Sequence, residues 1–158
     1  MIVYILRHGE AEAKSSQVPD DERHLTTVGK SRLRRNLVVA AEIGTKIDLI
    51  LTSPLVRAKE SAEIAKDVFG IERLEIEETL EPMRSPYEVY QSLAKYASIE
   101  RLLVVTHQPL ISSLMNALLN WEESFFAFPA GTIAKIEIID LTSNPRGTLL
   151  FLLPYSIE

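Results

Sequence analysis

No cysteine occurs among the 158 residues. That absence excludes a thiol nucleophile, a disulfide framework and a cysteine-based zinc site, and it fits a reducing compartment. Long apolar runs are missing too. No stretch approaches the about 18 residues that a membrane helix needs, and the apolar start Ile2–Leu6 is too short for the core of a signal peptide. Nor is there an excess of positive charge. The formal net charge of −5 argues against a general binder of nucleic acid or anionic membrane, because both require clustered Lys and Arg facing phosphates. Internal repeats, low-complexity tracts and interdomain linkers are absent as well. The expectation is one soluble, cytoplasmic domain over residues 1–158, long enough to enclose a core without disulfides or metals.

What is present is an alternation of short apolar, β-branched runs with longer segments at helical spacing, the pattern of an α/β domain on a largely parallel sheet. Strands are expected at Ile2–Leu6, Leu49–Thr52, Leu74–Glu77, Leu102–Thr106, Ile133–Ile139 and Thr148–Leu153. Thr26 is placed to cap a helix whose inner face carries Leu33, Leu37 and Ala40. Pro54 stands where a helix would begin, with Ala58, Ala62, Ala65 and Phe69 on one face. A third helix is expected from Pro86 to Ala97. Pro109 precedes a fourth, which is apolar on more than one face (Ile111, Leu114, Met115, Leu118) and so deeply buried. Lys14–His24 reads as a mobile surface loop. Trp121–Gly131, with Phe125, Phe126 and Phe128, reads as a satellite core under a loop rather than a platform for stacking substrate.

Three of these strands share a feature that burial does not require. Leu6 is followed by Arg7 and His8, Thr52-Ser53-Pro54 leads to Arg57, and Thr106 runs into His107. In an open parallel sheet the carboxyl ends of the strands line one edge, where ligands bind, and helices that start there favour anions. Taken singly, Arg7 reads as a surface cation and His107 as a strand-end histidine. Together with His8 and Arg57, and with no carboxylate partner evident nearby, they make a phosphate cradle, since guanidinium groups grip phosphate oxygens in pairs. A metal site fits poorly, because zinc wants three protein ligands and adjacent arginines repel a cation. Positive neighbours lower the pKa of His8 and leave a neutral ring nitrogen free to attack phosphorus. Gly9 then allows a close backbone approach or an unusual φ beside it, and Arg7, Arg57 and His107 stabilise charge on the transferring group.

The motifs Arg7-His8-Gly9-Glu10, Ser53-Pro54-Leu55-Val56-Arg57-Ala58 and Val105-Thr106-His107-Gln108-Pro109 resemble those of the histidine phosphatase (phosphoglycerate mutase-like) superfamily. The short chain, Arg23-His24-Leu25-Thr26-Thr27-Val28-Gly29 and Thr79-Leu80-Glu81-Pro82 resemble the SixA-type phosphohistidine phosphatases. The resemblance implies a three-layer α/β/α sandwich with a mostly parallel sheet. It also implies His8 as nucleophile, Arg7, Arg57 and His107 as phosphate-binding catalytic residues, and no metal or organic cofactor. Two departures stand out. His24 replaces a proline in the Arg-Pro-Leu-Thr pattern, and Pro82 falls near the place where larger members carry a general acid. Glu81 is then the one candidate proton donor, and Glu10 reads as a helix-end or supporting carboxylate. A phosphorylated imidazole leaves with less help than an alkoxide does, so the expected activity is hydrolysis of phosphohistidine on a protein such as a phosphotransfer domain. A small-molecule phosphomonoesterase and a non-catalytic phosphate-binding adaptor are the alternatives, and a mutase reading is weaker. Expected partners are a phosphorylated protein or small phosphate esters, with neither nucleic acid nor membrane. Arg84 and Lys14 read as solvated surface charge rather than docking residues for an acidic partner.

Overall fold

In a computed structural model, which describes residues 1–121, 128–141 and 144–155, the chain alternates strand and helix for its first two thirds. The strands are β1 (Ile2–Arg7), β2 (Leu49–Thr52), β3 (Leu74–Ile76), β4 (Arg101–Thr106), β5 (Ile133–Asp140) and β6 (Arg146–Leu153). The helices are α1 (Thr27–Glu42), α2 (Val56–Phe69), α3 (Pro86–Ala94) and α4 (Leu110–Leu119). One six-stranded sheet has the order β3-β2-β4-β1-β5-β6. The first four strands run parallel, and β5 and β6 are antiparallel additions at one edge.

The two-residue period of a strand sends alternate side chains to opposite faces, and the core divides accordingly. Val3 and Ile5 of β1 join Leu102 and Val104 of β4 in a cluster with Val89 and Leu93 of α3 and Leu110, Ile111 and Leu114 of α4. Tyr4 and Leu6 join Leu103 and Val105 in a second cluster with Leu33, Leu37 and Ala40 of α1 and Ala58, Ala62 and Ala65 of α2. Helices thus cover both faces, giving the expected three-layer α/β/α sandwich. Leu103 is fully buried, and truncating such a residue to alanine costs about 2–5 kcal/mol.

Local chemistry sets the helix starts. Thr26 Oγ1 accepts from Gly29 N at 2.8 Å, as its position suggested. Helix α3 opens with Pro86 behind a reciprocal Ser85–Glu88 cap, and it ends at Ala94, short of the expected Ala97. Helix α2 begins at Val56, two residues beyond Pro54. Phe128 is buried in the core, whereas Phe125 and Phe126 lie outside the described residues. Among the described residues, no helix is long and apolar enough to cross a membrane.

Candidate active site

The strand order makes β2, β4 and β1 neighbours, so their carboxyl ends bring Ser53, His107 and His8 to one edge. Arg57 arrives from the first turn of α2. All four predicted residues, Arg7, His8, Arg57 and His107, line a single cleft of roughly 570 Å³, together with Gly9, Glu10, Lys14, Asp20, Arg23, Pro82 and Met83. A cleft of this size suits a phosphorylated side chain.

His8 is oriented by backbone. Its amide donates to Thr106 O at 3.1 Å, and its Nδ1 lies 2.7 Å from Gly9 O. A carbonyl can only accept, so Nδ1 carries the proton. Arg57 Nε donates to His8 Nε2 at 3.3 Å, which requires a lone pair there. The ring is therefore the neutral Nδ1–H tautomer, with Nε2 turned to the arginine. Burial is the main cause of a His8 pKa pulled down to about 4; Arg57, Arg7 and Arg23 lower it further and the Gly9 bond opposes them. The sequence pointed to the arginines, and desolvation proves the larger effect.

His107 is lowered further, to about 2, by burial and then by His8 and Arg57. Its Nε2 lies 2.8 Å from Ser53 Oγ, and its ring centroid stands 4.9 Å from that of His8. Arg7 is held through a 2.7 Å bond from its guanidinium to Phe128 O. Among the described residues, Arg7 Nε and His107 Nδ1 are buried with no hydrogen-bond partner. Each is a polar atom whose burial is costly until an oxyanion or water satisfies it.

Gly9 earns its place by close approach, since its φ is not positive. A Cβ there would meet Gly29 O at 3.3 Å and Leu25 and Leu33 side chains at 3.4 Å. Gly29 is more constrained: a Cβ would fall 2.2 Å from Glu10 O. The start of α1 therefore presses on the segment after His8, although α1 begins only at Thr27 and His8 opens no helix itself.

Several functional neighbours escaped the sequence reading. Ser61 Oγ accepts from Gly9 N at 3.0 Å and donates to Arg57 O at 2.7 Å, tying the two halves of the site together. Its only trace in the sequence is its place one turn after Arg57. Asp20 corrects the expectation that the arginines have no carboxylate partner. The loop folds over the sheet edge, where Asp20 Oδ2 accepts from Arg57 at 3.0 Å and Asp20 O at 2.5 Å. A separation of 37 residues hid this pair from any local reading. Glu81 is not among the residues lining the cleft; its carboxylate accepts from Arg84 at 3.2 Å. Glu10 faces the cleft but pairs with Arg32 at 3.2 Å. Among the described residues, no group of three His, Asp or Glu side chains is placed to hold a metal ion.

The model of the histidine phosphatase superfamily (branch 1) matches residues 3–85. The chain belongs to the histidine phosphatase superfamily. The chain is 30% identical over 148 residues to a phosphohistidine phosphatase SixA homologue of Haemophilus influenzae, covering 86% of this chain and 87% of the relative. It is 28% identical over 153 residues to the phosphohistidine phosphatase SixA of Escherichia coli, covering 94% and 90%. A solved structure of the protein histidine phosphatase SixA with tungstate superposes with a TM-score of 0.85 at 26% identity, covering 98% of this chain and 97% of that one. This member of the superfamily is thus a SixA-type phosphatase, a hydrolase of phosphoryl groups.

Proposed function

We propose that the chain hydrolyses phosphohistidine on a protein, through a covalent phosphohistidine on His8. The observation that carries this reading is the state of the cleft's proton inventory. His8 is a neutral base whose Nε2 lone pair meets the N–H of Arg57 only at a long 3.3 Å and turns to phosphorus once a phosphoryl oxygen takes that N–H, while the carboxylates lining the cleft, Glu10 and Asp20, are both engaged by arginines. Nucleophilic attack is provided for, and protonation of an alkoxide is not. A substrate imidazole leaves without a strong acid, because its conjugate acid titrates near neutrality.

In the first step the His8 Nε2 lone pair forms the bond to phosphorus as the P–N bond of the substrate breaks. The departing imidazole keeps that electron pair and takes a proton from water. In the second step water attacks the phosphorus as the P–N bond to His8 breaks; its electron pair returns to Nε2, so His8 is neutral again, and the departing orthophosphate gives one proton to the hydroxide left by the first step. Arg7 and Arg57 supply charge to the equatorial oxygens in both steps. His107, neutral at rest, gains proton affinity beside a phosphoryl dianion and serves as a hydrogen-bond donor to it. The names of the relatives in H. influenzae and E. coli support the same substrate class. We place the enzyme in the cytoplasm, in keeping with its lack of cysteine.

The test is phosphate release from a phosphohistidine-bearing protein and from a panel of small phosphate esters, by the wild type and His8→Ala side by side. Turnover of phosphohistidine that disappears in the variant, with ³²P trapped on His8 of the wild type, is the expected result. Efficient ester hydrolysis would show that an acid operates and would transfer the assignment to a small-molecule phosphomonoesterase. Tight phosphate binding without turnover of either substrate would leave only an adaptor.

A further inference from the structure

Arg23 reaches the cleft from the loop that precedes α1. The loop's acidic residues Asp20, Asp21 and Glu22 are exposed, yet the side chain of Arg23 is only 12% exposed. Its guanidinium is turned inward and anchored by a 2.6 Å bond to Glu12 O. The adjoining residues are fixed as well: Glu12 Oε2 accepts from His24 N at 3.1 Å, and Glu60 Oε2 accepts from Leu25 N at 2.7 Å. Arg23 is thus held in place by contacts that owe nothing to Asp20.

Asp20 bridges two guanidinium groups. Its Oδ1 meets Arg23 at 2.9 Å and 3.0 Å, and its Oδ2 meets Arg57 at 3.0 Å. One carboxylate spanning both arginines sets them at the spacing of two oxygens on one central atom. A phosphoryl group offers three such oxygens and a second negative charge, so it fits the same pair and binds it more strongly. The carboxylate side chain is 48% exposed, against 4% for Arg57. It can turn out to solvent while the Arg57 bond to Asp20 O keeps the loop in position.

We propose that Arg23 is a third arginine of the phosphoryl seat, and that the Asp20 carboxylate occupies this seat in the free enzyme until a phosphoryl oxyanion displaces it. Asp20 is held ionised by both arginines, with its pKa below the ordinary range despite partial desolvation. It is therefore displaced as an anion and donates no proton. The carboxylate end of the pair is half exposed and screened by solvent, so the resident carboxylate weakens phosphoryl binding only modestly while sparing the free enzyme two like charges at close range.

This assignment rests on the cleft being a phosphoryl site, and anion affinity tests it apart from turnover. Orthophosphate binding is followed by ³¹P NMR and calorimetry on the full chain, with melting curves and phosphohistidine turnover on the same preparations. Asp20→Asn is expected to tighten orthophosphate about 3- to 10-fold, and Arg23→Gln to weaken it about 10-fold or more, the size of one charged hydrogen bond. Arg23→Lys, which keeps the charge and loses the fork, should fall between, and it carries the test if Arg23→Gln does not fold. In the double variant the gain from Asp20→Asn should shrink. Unchanged or weaker orthophosphate binding in Asp20→Asn overturns the displacement. Unchanged binding in a folded Arg23 variant removes Arg23 from the seat. Wild type that binds no orthophosphate and turns over no phosphohistidine would instead defeat the functional reading.

Discussion

The site has two halves built by different means. Its inner half, His8, His107, Ser53 and the buried arm of Arg57, sits on strand ends and a helix start, nearly free of solvent and held by buried hydrogen bonds. Its outer half, Lys14, Asp20, Arg23 and Met83, comes from loops and is held by ion pairs and partial exposure. A sheet edge gives placement that the reaction can rely on; loops give a rim that can yield to whatever carries the phosphoryl group. Chemistry and selection are therefore separable, and substitutions should show it.

The heaviest break falls on the inner half. His8→Ala should lower turnover by about 10⁴-fold or more, the usual cost of losing a nucleophile, with the melting curve showing a retained fold. Arg57→Lys keeps a charge but loses the bonds to His8 and Asp20 together; turnover should fall roughly 100-fold, as for loss of one preorganised donor, and a steady-state assay checks it. Acid acts on the same half. Protonation of His8 Nε2 would remove the proposed nucleophile, so kcat/KM should hold through pH 5 and then fall on an acid limb near the His8 pKa of about 4, not near 6.5. Stability should respond earlier. Both histidines titrate lower in the folded chain than the unfolded value of about 6.5. Between that value and about 4 the unfolded chain takes up more protons, so denaturant midpoints should drop as pH falls through this window.

The link between the halves gives a smaller effect. Ser61→Ala strips Gly9 N of its acceptor inside the protein and should cost about 1–3 kcal/mol of stability, read by urea unfolding. The outer half gives the smallest. Met83 is 86% exposed at the rim, on a turn braced by Arg84 between Glu81 and Glu88 at 3.2 Å each. Met83→Ala should raise KM for a phosphoprotein about 3-fold, as for a peripheral apolar contact, and leave a free phosphoramidate unaffected. Equal losses on both substrates would place Met83 in the chemistry and undo the division.

The same division explains what the sequence could show. Strand-borne parts of the site were legible because each follows an apolar run, as Arg7-His8 follows Ile2–Leu6 and His107 follows Leu102–Thr106, and a parallel sheet turns such endings into neighbours. The alternation of strands and helices was legible for a related reason, since Leu33, Leu37 and Ala40 repeat at the helical period. Asp20 and Ser61 were not. Their partners are set by how a loop and a helix fold onto the edge, which no local period encodes, and small polar residues in exposed or helical settings carry no hydropathy signal. The weight of desolvation on His8 was missed because burial is a property of the assembled cleft, whereas neighbouring charge can be read from the chain.

Three of the site's side chains share one habit: His8 bonds to the carbonyl of Gly9, Arg7 to that of Phe128 and Arg57 to that of Asp20. A carbonyl belongs to the peptide unit and survives any replacement of the side chain beside it. Phe128 or Asp20 can therefore drift in identity while the acceptor that aims each arginine stays in place. The aim of these side chains is buffered against mutation at these positions, and a lineage is free to rework the rim for a new partner without first rebuilding the inner cleft.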